Sequence, residues 1–116
     1  MLPRCKGTIL FTGATSSVRG AATFSAFGVA KAGLRSLAQS MAKELGPLGI
    51  HVAHIVIDGA VDTPWIRNNF QKAIEKSPPD SLCQPDEIAE VYWHLCHQHR
   101  STWSFEIDLR PYSERW

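Results

Sequence analysis

The apolar positions change period several times along the chain, and each change marks an element. Gly7-Thr8-Ile9-Leu10-Phe11-Thr12 is apolar and β-branched and predicts a short buried strand that Gly13 stops. Residues 13–24 are small and polar, with Gly13, Gly20 and a Thr15-Ser16-Ser17 run, and predict a loop. Phe27, Ala30, Leu34, Leu37, Ala38, Met41 and Leu45 then recur at three- and four-residue steps, the apolar face of a helix over 25–45. Gly46-Pro47 ends it. Ile50 to Ile57 is nearly continuously apolar, with His51 and His54 inside it, which predicts a strand covered on both faces and hence a parallel sheet. Residues 62–82 are irregular, with Pro64, Pro78 and Pro79 and a short helix around 66–74. Pro85-Asp86-Glu87 opens a second long helix, since proline fits a first turn and two acids suit the positive end of the dipole; Ile88, Ala89, Tyr92 and Leu95 form its apolar face. Trp103, Phe105, Ile107 and Leu109 alternate with polar residues and predict a last strand over 103–110. Strands alternating with helices argue for an α/β fold: three parallel strands and two main helices.

Composition narrows the class. The 116 residues are 44% hydrophobic and 20% charged, enough to bury a core, and amount to a single domain over 1–116 at most. Twelve Lys and Arg against eleven Asp and Glu give no electrostatic footing for nucleic acid or an anionic membrane. No run approaches the ~20 apolar residues of a membrane span. Met1 to Lys6 carries charge with no long apolar stretch behind it, unlike a signal peptide. Cys5, Cys83 and Cys96 are too few and too scattered for a disulfide framework and suit a reducing compartment, so a cytoplasmic location is expected.

Thr12 to Gly20 (TGATSSVRG) is superficially a phosphate-cradling glycine loop, but Ser17 and Arg19 stand where later glycines are needed for close approach to a diphosphate. A free-standing glycine-loop nucleotide binder is weakened accordingly. The informative residues are Phe24-Ser25-Ala26-Phe27-Gly28-Val29-Ala30-Lys31, then Gly49-Ile50-His51-Val52, then Asp58-Gly59-Ala60-Val61-Asp62-Thr63, and the Pro85-Asp86-Glu87-Ile88-Ala89 helix start. In these the chain resembles the short-chain dehydrogenase/reductase family, whose pattern is a strand, a serine-bearing loop, Tyr-x-x-x-Lys on a long helix, a Gly-Ile-x-Val strand and a Pro-Gly-x-Val-x-Thr turn. The resemblance covers the later half of a doubly wound Rossmann-like sheet; the first, nucleotide-binding half with its glycine loop is expected to be missing.

That resemblance implies an oxidoreductase that moves hydride between NAD or NADP and a small carbonyl or alcohol substrate. Residues four apart share a helix face, so a lysine can sit beside the family tyrosine and favour its ionised form. Lys31 matches the lysine, which also holds the nicotinamide ribose. The tyrosine position is Phe27, a ring with no hydroxyl to donate or accept a proton, and Tyr92 and Tyr112 lie far along the chain. The family serine, about thirteen residues before the tyrosine, falls on Ala14, leaving Thr15, Ser16 or Ser17 to serve if the loop is shaped differently. Gly59, Val61 and Thr63 match the turn that meets the nicotinamide, while Asp58 stands in place of its proline and reads on its own as an ordinary Asp-Gly turn residue. The catalytic candidates are therefore Phe27, Lys31, Ser16 and Ser17, and the cofactor-binding ones Lys31, Gly59, Val61 and Thr63. His94, Cys96, His97 and His99 crowd one helix end and lack the paired spacing of a zinc site, so no metal is expected; His51 and His54 read as partnered core residues. Weak or no cofactor binding is expected of the chain alone. The competing reading is a non-catalytic relative or truncated product acting only as an association module, and homo-oligomers through helix 25–45 are expected in either case.

Overall fold

The computed structural model describes residues 1–116. Three strands, β1 (Gly7–Ala14), β2 (Ile50–Ile57) and β3 (Glu106–Leu109), pair in parallel in the order β1-β2-β3. Three helices, α1 (Ser25–Leu45), α2 (Pro64–Glu75) and α3 (Pro85–His97), complete an α/β fold. Both crossovers carry helices, as parallel pairing demands.

β2 is buried along its whole length, and its two faces have different partners. Ala53, Ile55 and Ile57 pack with Leu95 of α3, flanked by Leu10, Ile88, Val91, Tyr92, Ile107 and Leu109. The alternate residues, Val52, His54 and Val56, face α1, whose Ala38 is fully buried. Each histidine in this strand has a partner on one ring nitrogen, while His51 Nδ1 and His54 Nε2 are buried without one. His51 Nε2 donates to the Ser104 carbonyl at 2.8 Å and its ring stacks on Trp103 at 4.9 Å between centroids. His54 Nδ1 donates to Glu106 Oε2 at 2.9 Å, and the same carboxylate takes two hydrogen bonds from Arg35 of α1, at 2.6 and 2.9 Å.

The boundaries differ from the sequence pattern in three places. β1 continues through Gly13 to Ala14, because Gly13 keeps its register opposite Val56 and its missing side chain leaves room for the His54 ring and the Ser17 hydroxyl. The short helix expected around 66–74 runs over Pro64–Glu75, with proline in its first turn and the Thr63 hydroxyl accepting from Ile66 N at 3.3 Å. The last strand covers only 106–109, not 103–110. Arg100–Thr102 forms a 3-10 turn, Trp103 turns onto His51, and the Gln98 side chain takes Ser104 N, so the alternating pattern begins before the backbone joins the sheet. At Gly49 (φ 80°) the chain enters β2 against the Cys5 carbonyl, a left-handed turn with no space for a side chain.

Candidate active site

Because the strands are parallel, Ala14, Ile57 and Leu109 end at the same edge of the sheet, the edge where ligands meet open α/β sheets. α1 begins beside it. Phe27 and Lys31, one turn apart on α1, lie together there: the Lys31 ammonium is 5.7 Å from the Phe27 ring centre and donates to the Thr12 carbonyl of β1 at 3.0 Å. The Phe27 ring is 44% exposed and meets Phe24 edge-on at 6.4 Å. The Thr12 hydroxyl shares a 2.8 Å hydrogen bond with the Tyr92 hydroxyl of α3. Tyr92 is thus remote in sequence but not in space, since α3 packs across the sheet face onto β1.

The three hydroxyls after β1 divide. Thr15–Ser17 is a 3-10 turn in which Thr15 Oγ1 donates to Asp58 Oδ1 at 2.7 Å, and Ser17 Oγ accepts from Ala14 N at 3.0 Å. Ser16 is also buried, and the hydrogen bonds that anchor this turn run through Thr15 and Ser17 rather than through its hydroxyl. Ser16 and Ser17 line a hollow of about 430 Å³ with Arg19, Phe24 and Gly28; Phe27 and Lys31 lie outside it. The structure joins Phe27 to Lys31 and links the hollow that Ser16 and Ser17 line to Phe27 through Phe24, which borders both. This turn is no phosphate cradle either, since the next long helix starts only at Ser25 and Arg19 is paired with Asp58.

Asp58 is not an ordinary turn residue. It is 1% exposed and accepts hydrogen bonds from Thr15, Arg19 and Arg110. Burial alone would raise its carboxyl; the hydrogen bonds from Thr15 and Arg110 and the Arg19 charge outweigh that and hold it below its ordinary value. The following turn is held by packing and backbone hydrogen bonds. Gly59 packs so closely on Pro111 that a side chain there would overlap it. Val61 bridges to Cys83, with Asp62 N donating to the Cys83 carbonyl and Cys83 N to the Ala60 carbonyl, both at 2.9 Å. Thr63 caps α2, and Asp62 pairs with Arg67 one turn on, which pulls the Asp62 carboxyl down. Burial pushes the Cys83 thiol up. At the far end of α3, His97 Nδ1 donates to the Trp93 carbonyl, and no set of three His, Cys, Asp or Glu side chains converges anywhere in the chain. Thr12, Tyr92, Arg19 and Arg110 border this edge through the contacts above and are not among the sequence candidates. Arg19 reads in the sequence only as the residue out of place in a glycine loop, and Tyr92 only as a helix-face residue far along the chain.

Residues 1–105 match the family described as Enoyl-(Acyl carrier protein) reductase. Over 95 residues the chain is 38% identical to the peroxisomal 2,4-dienoyl-CoA reductase [(3E)-enoyl-CoA-producing] of Saccharomyces cerevisiae, covering 77% of this chain and 32% of that protein. A short-chain dehydrogenase from Rhodopseudomonas palustris is 44% identical with a TM-score of 0.72, over 97% of this chain and 42% of its own. An NADPH-bound short-chain oxidoreductase from Pseudomonas aeruginosa PAO1, containing an atypical catalytic center, is 27% identical with a TM-score of 0.76, over 94% of this chain and 46% of its own. The chain thus spans less than half the length of each of these relatives. A match over residues 1–105, on a three-stranded parallel sheet with helices in both crossovers, places the chain in the short-chain dehydrogenase/reductase family.

Proposed function

We propose that the chain forms the lysine-bearing half of an NAD(P)-dependent oxidoreductase site acting on a small carbonyl, alcohol or enoyl substrate, with the usual proton-transfer phenol replaced by Phe27. The observation that carries this reading is the Phe27–Lys31 pair at the C-terminal edge of a parallel sheet. The residues suit a dinucleotide. An ammonium has three donors, and Lys31 spends one on the Thr12 carbonyl, leaving two for ribose hydroxyls. The Thr63 oxygen accepts from Ile66 N, so its hydrogen is free to donate to a carboxamide, and Gly59 and Val61 hold the backbone of that turn in place. The nicotinamide, when bound, supplies or takes the hydride.

Phe27 keeps an apolar surface beside the ammonium and moves no proton. Of Ser16 and Ser17, Ser17 is committed to Ala14 N, so Ser16 is the one whose hydroxyl could meet a substrate oxygen, from the hollow that Phe24 borders. The yeast relative's name describes an enoyl-CoA product, which favours an acyl thioester with a conjugated double bond as the substrate class. An association role rests on a different observation: α1 exposes Val29, at 76%, and Leu37. Homo-oligomers through this helix are compatible with hydride chemistry.

Titration of NADPH and NADH against the isotopically labelled chain tests the site. Backbone shifts at Lys31, Gly59, Val61 and Thr63 are expected, with a dissociation constant above about 10 μM, weaker than roughly −7 kcal/mol, and Lys31→Ala should abolish them. Shifts confined to other residues, or none at millimolar nucleotide, would sink the reading.

A further inference from the structure

Asp58 follows β2 directly, and its carboxylate gathers three segments. From the turn after β1, Thr15 Oγ1 donates to Oδ1 at 2.7 Å, and Arg19 Nη2 donates to Oδ1 and Oδ2 at 2.9 and 3.2 Å. From the residue after β3, Arg110 Nε donates to Oδ2 at 3.2 Å, while the Arg110 Nη2 is held by Asp108 at 2.6 Å. One buried carboxylate thus ties the C-terminal ends of all three strands together. Nothing in the backbone does this for the first segment. The β1 ladder ends at the Ala14–Ile57 pair, and the backbone bonds from Val18 and Arg19 both return to Thr15 within the same turn. Arg19 forms an ion pair with Asp58 and with no other carboxylate.

We propose that Asp58 is the positioning residue of this site, fixing the Thr15–Arg19 turn, and the Ser16 hydroxyl it carries, against the Gly59–Thr63 turn. The positioning role rests on the oxidoreductase reading above; the clamp itself does not. A fully buried carboxylate paired with two guanidinium groups is costly to leave half-satisfied, so removing its charge releases the arms that hydrogen bonds to a neutral group hold less strongly. Asp58 touches no reacting atom; it acts through Thr15 and Arg19.

Amide hydrogen exchange on the 116-residue chain reads the clamp. In Asp58→Asn, exchange over residues 15–20 should rise at least tenfold while α1 and β2 keep their protection, and trypsin cleavage after Arg19 should accelerate to a similar degree. Asp58→Glu, which keeps the charge, should bring exchange back to within about threefold of the unmodified chain. Arg19→Gln, a milder change that leaves Thr15 and Arg110 in place, should raise exchange over the same residues and serves if Asp58→Asn does not fold. Unchanged exchange at 15–20 in the variants overturns the clamp, and so does a uniform rise over the whole chain in both Asp58→Asn and Arg19→Gln. For the positioning role, an enoyl thioester added to the NADPH-saturated chain should shift Ser16, and Asp58→Asn should remove that shift while the NADPH-induced shifts at Lys31 and Thr63 persist; loss of both sets, or an unchanged Ser16 response, overturns it. Absence of NADPH shifts in the unmodified chain counts against the oxidoreductase reading and against the positioning role built on it, while the exchange result decides the clamp separately.

Discussion

Phe27 sits where a phenol is expected, with the Lys31 ammonium 5.7 Å from its ring centre, so restoring one oxygen tests whether the rest of the machinery is intact. General acid–base catalysis typically contributes about 10²–10⁴ in rate. In a protein that carries this chain beside a dinucleotide-binding half, Phe27→Tyr should raise carbonyl reduction by about that range. Robust turnover of the unmodified protein on a panel of ketones, with no gain from Phe27→Tyr, would mean that position 27 is no lost catalytic site. Gly13 is the second telling residue. A methyl group there would overlap the buried His54 ring, which Glu106 holds through Nδ1, and crowd the buried Ser17 hydroxyl. Gly13→Ala should therefore destabilise the chain by about 1–3 kcal/mol, the usual cost of overpacking. An unchanged urea midpoint would show that the ring moves aside freely.

Between elements, Glu106 joins helix to sheet: it accepts two hydrogen bonds from Arg35 of α1 and one from the fully buried His54 of β2. The Arg35 hydrogen bond lowers the Glu106 carboxyl most, burial opposes it, and His54 adds to the lowering; the net direction is down from 4.5. A carboxyl lower in the folded than in the unfolded chain contributes stability that is fully present above the unfolded value and is lost as pH falls through the folded one. Asp58 has the same sign, from an ordinary value of 3.8. The melting temperature should thus hold near neutrality and fall below about pH 4.5, and Glu106→Gln should melt lower at pH 7 and lose less on acidification. Parallel melting curves for the two proteins between pH 7 and pH 3 would dismiss the Arg35–Glu106–His54 link as a source of stability. This link could not be read from the sequence, which shows only that β2 is covered on both faces and that its histidines need partners.

As a whole molecule the chain is open. Its extents are 51 × 29 × 22 Å and its radius of gyration is 16.0 Å, against about 13 Å expected of a compact domain of this length. Only 16 of 116 residues are buried, while Val29, Leu37, Trp65, Phe70 and Trp93 are exposed. β1 has a partner on one side only, and an unpaired parallel edge is prone to take another strand. Sedimentation of the purified chain at about 50 μM should show dimers or larger species, since pairs held by roughly −7 kcal/mol are visible there. A clean monomer at that concentration would remove the association role from α1.

What the sequence determined by itself is local. Element types and order, the doubly covered β2, the Gly46-Pro47 stop after α1 and the Pro85 start of α3 follow from periodicity and turn chemistry within a few residues. The Phe27–Lys31 adjacency is of the same kind, because four residues on a helix make one turn. The tertiary structure decided what depends on partners far along the chain. Thr12 meets Tyr92 80 positions away, Asp58 meets Thr15 43 away and His54 meets Glu106 52 away. Such pairs carry no period. Packing α1 and α3 on opposite faces of one sheet brings them within hydrogen-bond range, so a turn residue became a buried carboxylate and the misfit of a glycine loop became its counter-ion. The same packing limits the last strand to Glu106–Leu109: Trp103 stacks on His51 and Ser104 N is taken by the Gln98 side chain, partners that no alternating pattern shows.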